Sequence, residues 1–220
     1  LARGRFDADR THAWKEVHLS VWRRAAFMGF GFGYGSRRTP EKPQKRIAKM
    51  SLPVGVILAG GQATRMGGGD KGRLMLGQRS LLDHVIDRLR PQVSSIILNA
   101  NGAHDRFSDL NLPVIADSLP GYAGPLAGVL AGLDWAYAHG FDHVVSVAAD
   151  TPFFPKELVQ SFLATAVGME TPLVLAATIG AAGKIWRQPT FGLWPVVLRD
   201  DLRKNLENGL RKVVIWTDQH

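Results

Sequence analysis

From Ser51 onward, short apolar runs alternate with longer segments in which apolar residues recur every three or four positions. The runs Val54 to Leu58, Ser95 to Asn99, Pro113 to Ala116, His143 to Ala148, Leu173 to Thr178 and Thr190 to Trp194 predict strands, since glycine, asparagine, aspartate or proline punctuates them. The segments Ser80 to Gln92, Pro125 to His139, Pro155 to Val167 and Val196 to Asn208 carry the helical period. Strands alternating with helices of this length predict an α/β domain: a Rossmann-like three-layer sandwich with a mostly parallel sheet and helices on both faces. No internal repeat is visible.

In such a fold, ligands collect where loops leave the carboxyl ends of the strands. The first strand feeds AGGQATRMGGGDKG, Ala59 to Gly72, and the second is followed by Asn99 and Asn101. The third leads to Asp117 and the fourth to Asp150 in AADTP. Glycines allow close backbone approach to phosphate oxygens and let successive N–H groups form an anion nest. Arg65 can grip two phosphate oxygens, and Lys71 supplies a compact charge. A strand-end carboxylate such as Asp150 suits Mg²⁺, which prefers hard oxygen ligands. Together these residues suit a nucleoside triphosphate with a divalent cation.

Other motifs fail. Lys71 follows Asp70 and precedes Gly72, whereas a phosphate-binding Walker loop needs Gly-Lys before Ser or Thr. Gly67, Gly69 and Gly72 match GxGxxG only well beyond the strand, where a dinucleotide fingerprint does not belong. Duller readings stand beside the functional ones. Gly60 and Gly61 also read as a tight turn, Asp150 as a helix cap, Asp117 as an Asx-type turn and Asn99 as strand-end turn chemistry. Gly124 and Gly128 read as close-packing positions, and Trp186, Trp194 and Trp216 as packing residues.

Charge changes the picture only at one end. The net charge is +8, but residues 1–50 hold twelve Lys/Arg against four Asp/Glu, while residues 51–220 hold fifteen of each. The body is neutral, so a nucleic-acid partner is not expected. The first fifty residues lack a sustained period and are expected to be a basic, disordered extension preceding a domain over residues 51–220. Their WRRAAFMGF stretch lacks the length and cleavage pattern of a secretory signal. The absence of cysteine excludes disulfides, thiolate metal sites and cysteine nucleophiles. No apolar run approaches the roughly 20 residues of a spanning helix, so no membrane partner is expected; the lack of cysteine fits a reducing cytoplasm, and the small, neutral body suits a monomer.

The stretch LAGGQATRMGGGDK resembles the LAGGxxxRMGxxK signature of nucleotidyltransferases. The continuation, through ILNAN (Ile97 to Asn101), IADSLPGYAGPLAGVLAGL (Ile115 to Leu133), AADTPFFP (Ala148 to Pro155) and RQPTFGLWP (Arg187 to Pro195), is similar to the molybdenum cofactor guanylyltransferases. This resemblance implies the nucleotidyltransferase fold and GTP contacts from Leu58, Ala59, Gly60, Gly61, Lys71, Asn99, Asp117 and Asp150. Arg65 would face the phosphates, and Asp150 would hold Mg²⁺; with Lys71, these two form the implied catalytic set. The implied reaction joins GMP from GTP to the terminal phosphate of molybdenum-molybdopterin and releases pyrophosphate. Proteins that deliver molybdopterin or mature molybdoenzymes are the implied partners.

Family members continue into a segment like FxNxNTPEDL, whose asparagine helps hold the metal and which leads to a final strand and helix. No such segment occurs in this sequence. The expectation is therefore a domain lacking that strand and helix. The alternative functions are a catalytically impaired nucleotide-binding remnant, or a related enzyme using CTP or a sugar phosphate.

Overall fold

The computed structural model describes residues 51–60, 70–121, 124–180 and 183–220. The basic segment 1–50 and loop positions Gly61 and Arg65 lie outside the described residues.

Among the described residues, eight strands form in chain order: β1 (Val54–Leu58), β2 (Met75–Leu76), β3 (Arg79–Ser80), β4 (Ser95–Asn99), β5 (Val114–Ile115), β6 (His143–Ala148), β7 (Val174–Ile179) and β8 (Ile185–Pro195). Five α-helices accompany them among the described residues: α1 (Leu81–Leu89), α2 (Pro125–Ala138), α3 (Leu158–Ala166), α4 (Arg199–Glu207) and α5 (Val213–Thr217). The main sheet has the order β5-β4-β1-β6-β8-β7, with β2 and β3 in a separate hairpin. β5, β4, β1 and β6 run parallel, while β8 is antiparallel to both neighbours. The mostly parallel sheet expected from the sequence is therefore present.

Residues on alternate sides of each strand feed two cores. Ile57, Leu98, Val145 and Val147 pack with α1 and α3, through Leu82, Val85, Leu89, Leu158 and Phe162. Val54, Val56, Ile97 and Val144 pack with α2, α4 and α5, through Leu126, Leu130, Leu133, Leu202 and Trp216. The result is the three-layer sandwich.

Local chemistry explains the helices that matter for the cavity. α1 begins with a capping box: Ser80 Oγ accepts from the Asp83 N–H, and the Asp83 side chain accepts from the Ser80 N–H. α2 lies so close to the sheet that a Cβ at Gly128 would come within 2.2 Å of Asn99 Oδ1, and one at Gly132 within 2.5 Å of Val56 Cγ2. The close-packing reading of Gly128 holds. Gly124 differs, because its φ of 139° is the requirement and a Cβ there would meet nothing nearer than 4.0 Å.

The structure corrects several boundaries. β8 extends back to Ile185, well before the expected start at Thr190. Its Pro189 cannot donate to a ladder, and the β7 register shifts at Leu175/Ala176, so Leu175 pairs with Gly192 and Ala176 with Gln188. The strand continues through the irregularity. The expected helix from Val196 begins as a short 3-10 turn, Val196–Leu198, and becomes α-helical at Arg199. The β2–β3 hairpin and α5 were not expected. Trp194 and Trp216 are buried and stacked at 6.1 Å between centroids. Trp186 is not a packing residue: it is 53% exposed, with Lys184 Nζ 4.2 Å above its ring.

Candidate active site

The register aligns the strand ends. Leu58 pairs with Asn99 on one side and Ala148 on the other, and Asn99 pairs with Ile115. The connection leaving β1 runs to β4 on one side and the connection leaving β6 runs to β7 on the other, and this divergence between adjacent strands makes a crevice at the carboxyl edge. The ladder runs slightly further there, with the Ala59 N–H donating to the Asn99 carbonyl (2.9 Å) and the Ala149 N–H to the Leu58 carbonyl (3.2 Å). Beyond that level, a cavity of about 1110 Å³ opens.

Seven of the nine expected site residues line this one cavity: Leu58, Ala59, Gly60, Lys71, Asn99, Asp117 and Asp150. Arg65 and Gly61 are the two outside the described residues.

The acidic side of the cavity is held by amides. Asn99 is buried, and its Nδ2 donates to Asp117 Oδ1 at 3.0 Å. Asn101 Nδ2 donates to Asp117 Oδ2 at 2.8 Å, while Asn101 Oδ1 accepts from the Asp117 N–H at 2.8 Å. Both carboxylate oxygens thus have one fixed donor and lone pairs to spare. The bland reading of Asn99 as turn chemistry gives way to a role in orienting Asp117.

On the other side, Lys71 opens a short 3-10 turn, Lys71–Arg73. Gly72 allows that turn to press against the strand end, since a Cβ there would come within 3.2 Å of the Ala149 Cβ. The adjacent residues, Lys71 and Asp150, consequently reach the cavity from neighbouring backbones. Lys71 is exposed and makes no ion pair with any described residue. Asp150 is also exposed, with Oδ1 accepting from Thr151 Oγ1 at 3.1 Å. It does not cap the next helix, whose N-cap is Glu157.

Three contributors escaped the sequence reading. Asp70 and Arg106 line the cavity and are paired, with Arg106 Nε donating to Asp70 Oδ2 at 2.8 Å. Thr190, from β8, lines it too. Outside the cavity, Arg73 donates to both oxygens of Asp109, which holds that carboxyl below its ordinary range and raises the guanidinium. Among the described residues, no group of three or more His, Cys, Asp or Glu is placed to enclose a metal by itself, and no helix is long and apolar enough to cross a membrane.

The sequence model of the MobA-like NTP transferase domain matches residues 55–220. The chain belongs to the MobA-like NTP transferase family. Within it, the chain is 48% identical over 169 residues to a molybdenum cofactor guanylyltransferase of Bradyrhizobium sp. (strain ORS 278), covering 76% of this chain and 77% of that one. It is 45% identical to the protein of that name from Mesorhizobium japonicum, covering 76% and 79%. In fold it is similar to molybdopterin-guanine dinucleotide biosynthesis protein A from Archaeoglobus fulgidus, with a TM-score of 0.54, 21% identity and coverage of 76% and 79%. The cavity sits at the carboxyl edge of a MobA-like NTP transferase domain, the edge where the sequence leads one to expect a triphosphate.

Proposed function

We propose that this MobA-like domain transfers GMP from GTP to the terminal phosphate of molybdenum-molybdopterin, giving the guanine dinucleotide form of the cofactor and pyrophosphate. The observation that carries this reading is the convergence of Lys71, Asp117 and Asp150 from three separate loops on one cavity. The 48% identical relative named for this activity supports the choice of base and acceptor.

In the reaction, an oxygen of the acceptor phosphate bonds to the α-phosphorus of GTP, and the bond from that phosphorus to the bridging oxygen breaks. Such transfers need positioning and charge stabilisation more than covalent chemistry from the protein. Lys71, unpaired among the described residues, faces the charge that grows on the leaving pyrophosphate. Asp117, fixed by two asparagine amides, offers its remaining lone pairs to N–H or O–H groups of the nucleoside. Ala59 and Gly60 bring backbone close to the ligand. Arg65 and Gly61 are assigned to the phosphate side from the loop signature.

Asp150 is the residue that would hold Mg²⁺. The donor set fits, because Mg²⁺ is usually bound through one or two carboxylates plus substrate phosphates rather than by an all-protein cage. When bound, the ion neutralises triphosphate charge. Asp150 is exposed at the strand end and available for that role.

The test is pyrophosphate release by the purified full chain with Mg²⁺, molybdopterin-loaded acceptor, and GTP, CTP or ATP in turn. Release with GTP alone is the expected result. Release with CTP instead would move the chain to a cytidylyl-transferring relative. No release with calorimetric GTP binding would mark a nucleotide-binding remnant.

A further inference from the structure

Lys71 sits between two crossed ion pairs. Before it, Asp70 accepts from Arg106; after it, Arg73 donates to Asp109 and, through Nη2, to the Arg106 carbonyl at 2.7 Å. Both pairs reach across to one 3-10 segment, His104–Leu110, which follows β4. Arg106 has further fixed partners, donating to the carbonyls of Ala103 (2.6 Å) and Asn101 (2.7 Å). Its guanidinium carbon lies 4.6 Å from the centre of the buried Phe107 ring. Gly102, with φ of 84°, leaves room for it, since a Cβ there would come within 3.2 Å of Nη1.

One guanidinium therefore ties the loop carrying Lys71 to the loop carrying Asn101, and Asn101 in turn holds Asp117. A planar fork that spreads its donors over three nitrogens suits such a junction, whereas a lysine would present all its donors from a single nitrogen. Surface ion pairs are individually weak. This one is reinforced by two carbonyls and a ring, and it closes on a turn of only three residues.

We propose that Arg106 is a positioning residue for Lys71: by holding Asp70 against the Asn101–Ala103 backbone, it fixes the turn from which the lysine ammonium meets the triphosphate. Arg106 acts through Asp70 and does not itself grip the nucleotide. This proposal rests on the GTP reading above.

Arg106→Met keeps an unbranched stem and removes the guanidinium together with its contact to the Phe107 ring, and Asp70→Asn removes the partner's charge. Each is expected to weaken GTP binding about tenfold, the scale of one charge-assisted hydrogen bond, while GMP affinity, which draws on Asp117 and not on Lys71, falls much less. Adding Lys71→Ala to Arg106→Met should then cause no loss beyond Lys71→Ala alone. Equal losses for GTP and GMP would overturn the proposal, as would a full additional loss in the double variant, which would mean that Arg106 contacts the phosphates directly. A second measurement needs no nucleotide. Amide exchange at Arg73 and Leu74, whose N–H groups donate to the carbonyls of Asp70 and Lys71, should quicken about tenfold in Arg106→Met, with α1 unchanged. Unaltered exchange there would overturn the positioning role whichever nucleotide binds. Faster exchange in a protein that transfers nothing from GTP would instead keep the positioning role and reject the GTP reading.

Discussion

Asn99, the last residue of β4, and Asp117, two residues past the adjacent parallel β5, meet through a 3.0 Å bond in which the buried amide donates to the carboxylate. The amide leaves only Asn101 to hold the other oxygen. Asn99→Ala removes one of the two supports, so Asp117 should swing and the nucleoside should bind more weakly. The variant should also lose about 1 kcal/mol of stability, the typical net worth of one such bond. Calorimetric GTP titration and urea unfolding measure the two effects, and an unchanged affinity would detach Asn99 from the site.

Gly128→Ala tests the closeness of α2 to the sheet. In an exposed helix, alanine would stabilise by about 1 kcal/mol. Here the new methyl would fall 2.2 Å from Asn99 Oδ1 and 2.8 Å from Leu58 Cδ2, so a net loss of about 1–3 kcal/mol is expected. The same shift should disturb Asn99 and lower GTP affinity. A rise in the urea midpoint would contradict this geometry.

Asp150→Ala should lower turnover by about a hundredfold or more, because the proposed metal ligand is gone. GTP binding in the absence of metal should persist. Full turnover in this variant would remove Asp150 from the metal role.

Lys71→Ala should weaken GTP binding about tenfold while leaving GMP binding nearly intact, since a lone ammonium acts on the outer phosphates. Equal losses for the two nucleotides would argue for a contact elsewhere on the ligand.

His143 supplies a pH prediction away from the site. Burial pushes its pKa below the ordinary 6.5, with Asp142 opposing, and its Nδ1 has no hydrogen-bond partner among the described residues. The unfolded chain then takes up a proton at higher pH than the folded one. Stability is therefore fully present above about pH 6.5 and declines as pH falls from there toward the folded-state value. His143→Phe should flatten the urea-midpoint profile between about pH 5 and 7, and an unaltered slope would exclude His143 as its source.

The strand ends were legible because the chain advertises them: Leu58 stops at Ala59-Gly60, and Asn99, Asp117 and Asp150 each follow an apolar run. Residue type and position were enough to collect them. What they do to one another was not legible. The amide of Asn99 reads as turn chemistry until β4 and β5 pair and bring Asp117 alongside. Arg106 and Asp70 lie on loops joined only by the fold, and an arginine in HDRF carries no local signal of a partner near the glycine loop. β8 was read short because Pro189 resembles a boundary, whereas its register shift against β7 absorbs the proline. The β2–β3 hairpin pairs only two residues a side, too few to show alternation.

The central place of β1 also bears on how the chain acquires its shape. Val54 pairs with Ser95 on one side and Val144 on the other, so the first strand of the sheet must wait for both distant neighbours. Contacts of such long sequence separation slow folding, and an unpaired apolar strand is prone to association in the meantime. During synthesis β1 emerges first and is enclosed only after β6 has been made. Conditions that delay that closure, such as a destabilised β6 or high protein concentration, should divert the nascent domain into aggregates before a nucleotide could rescue it.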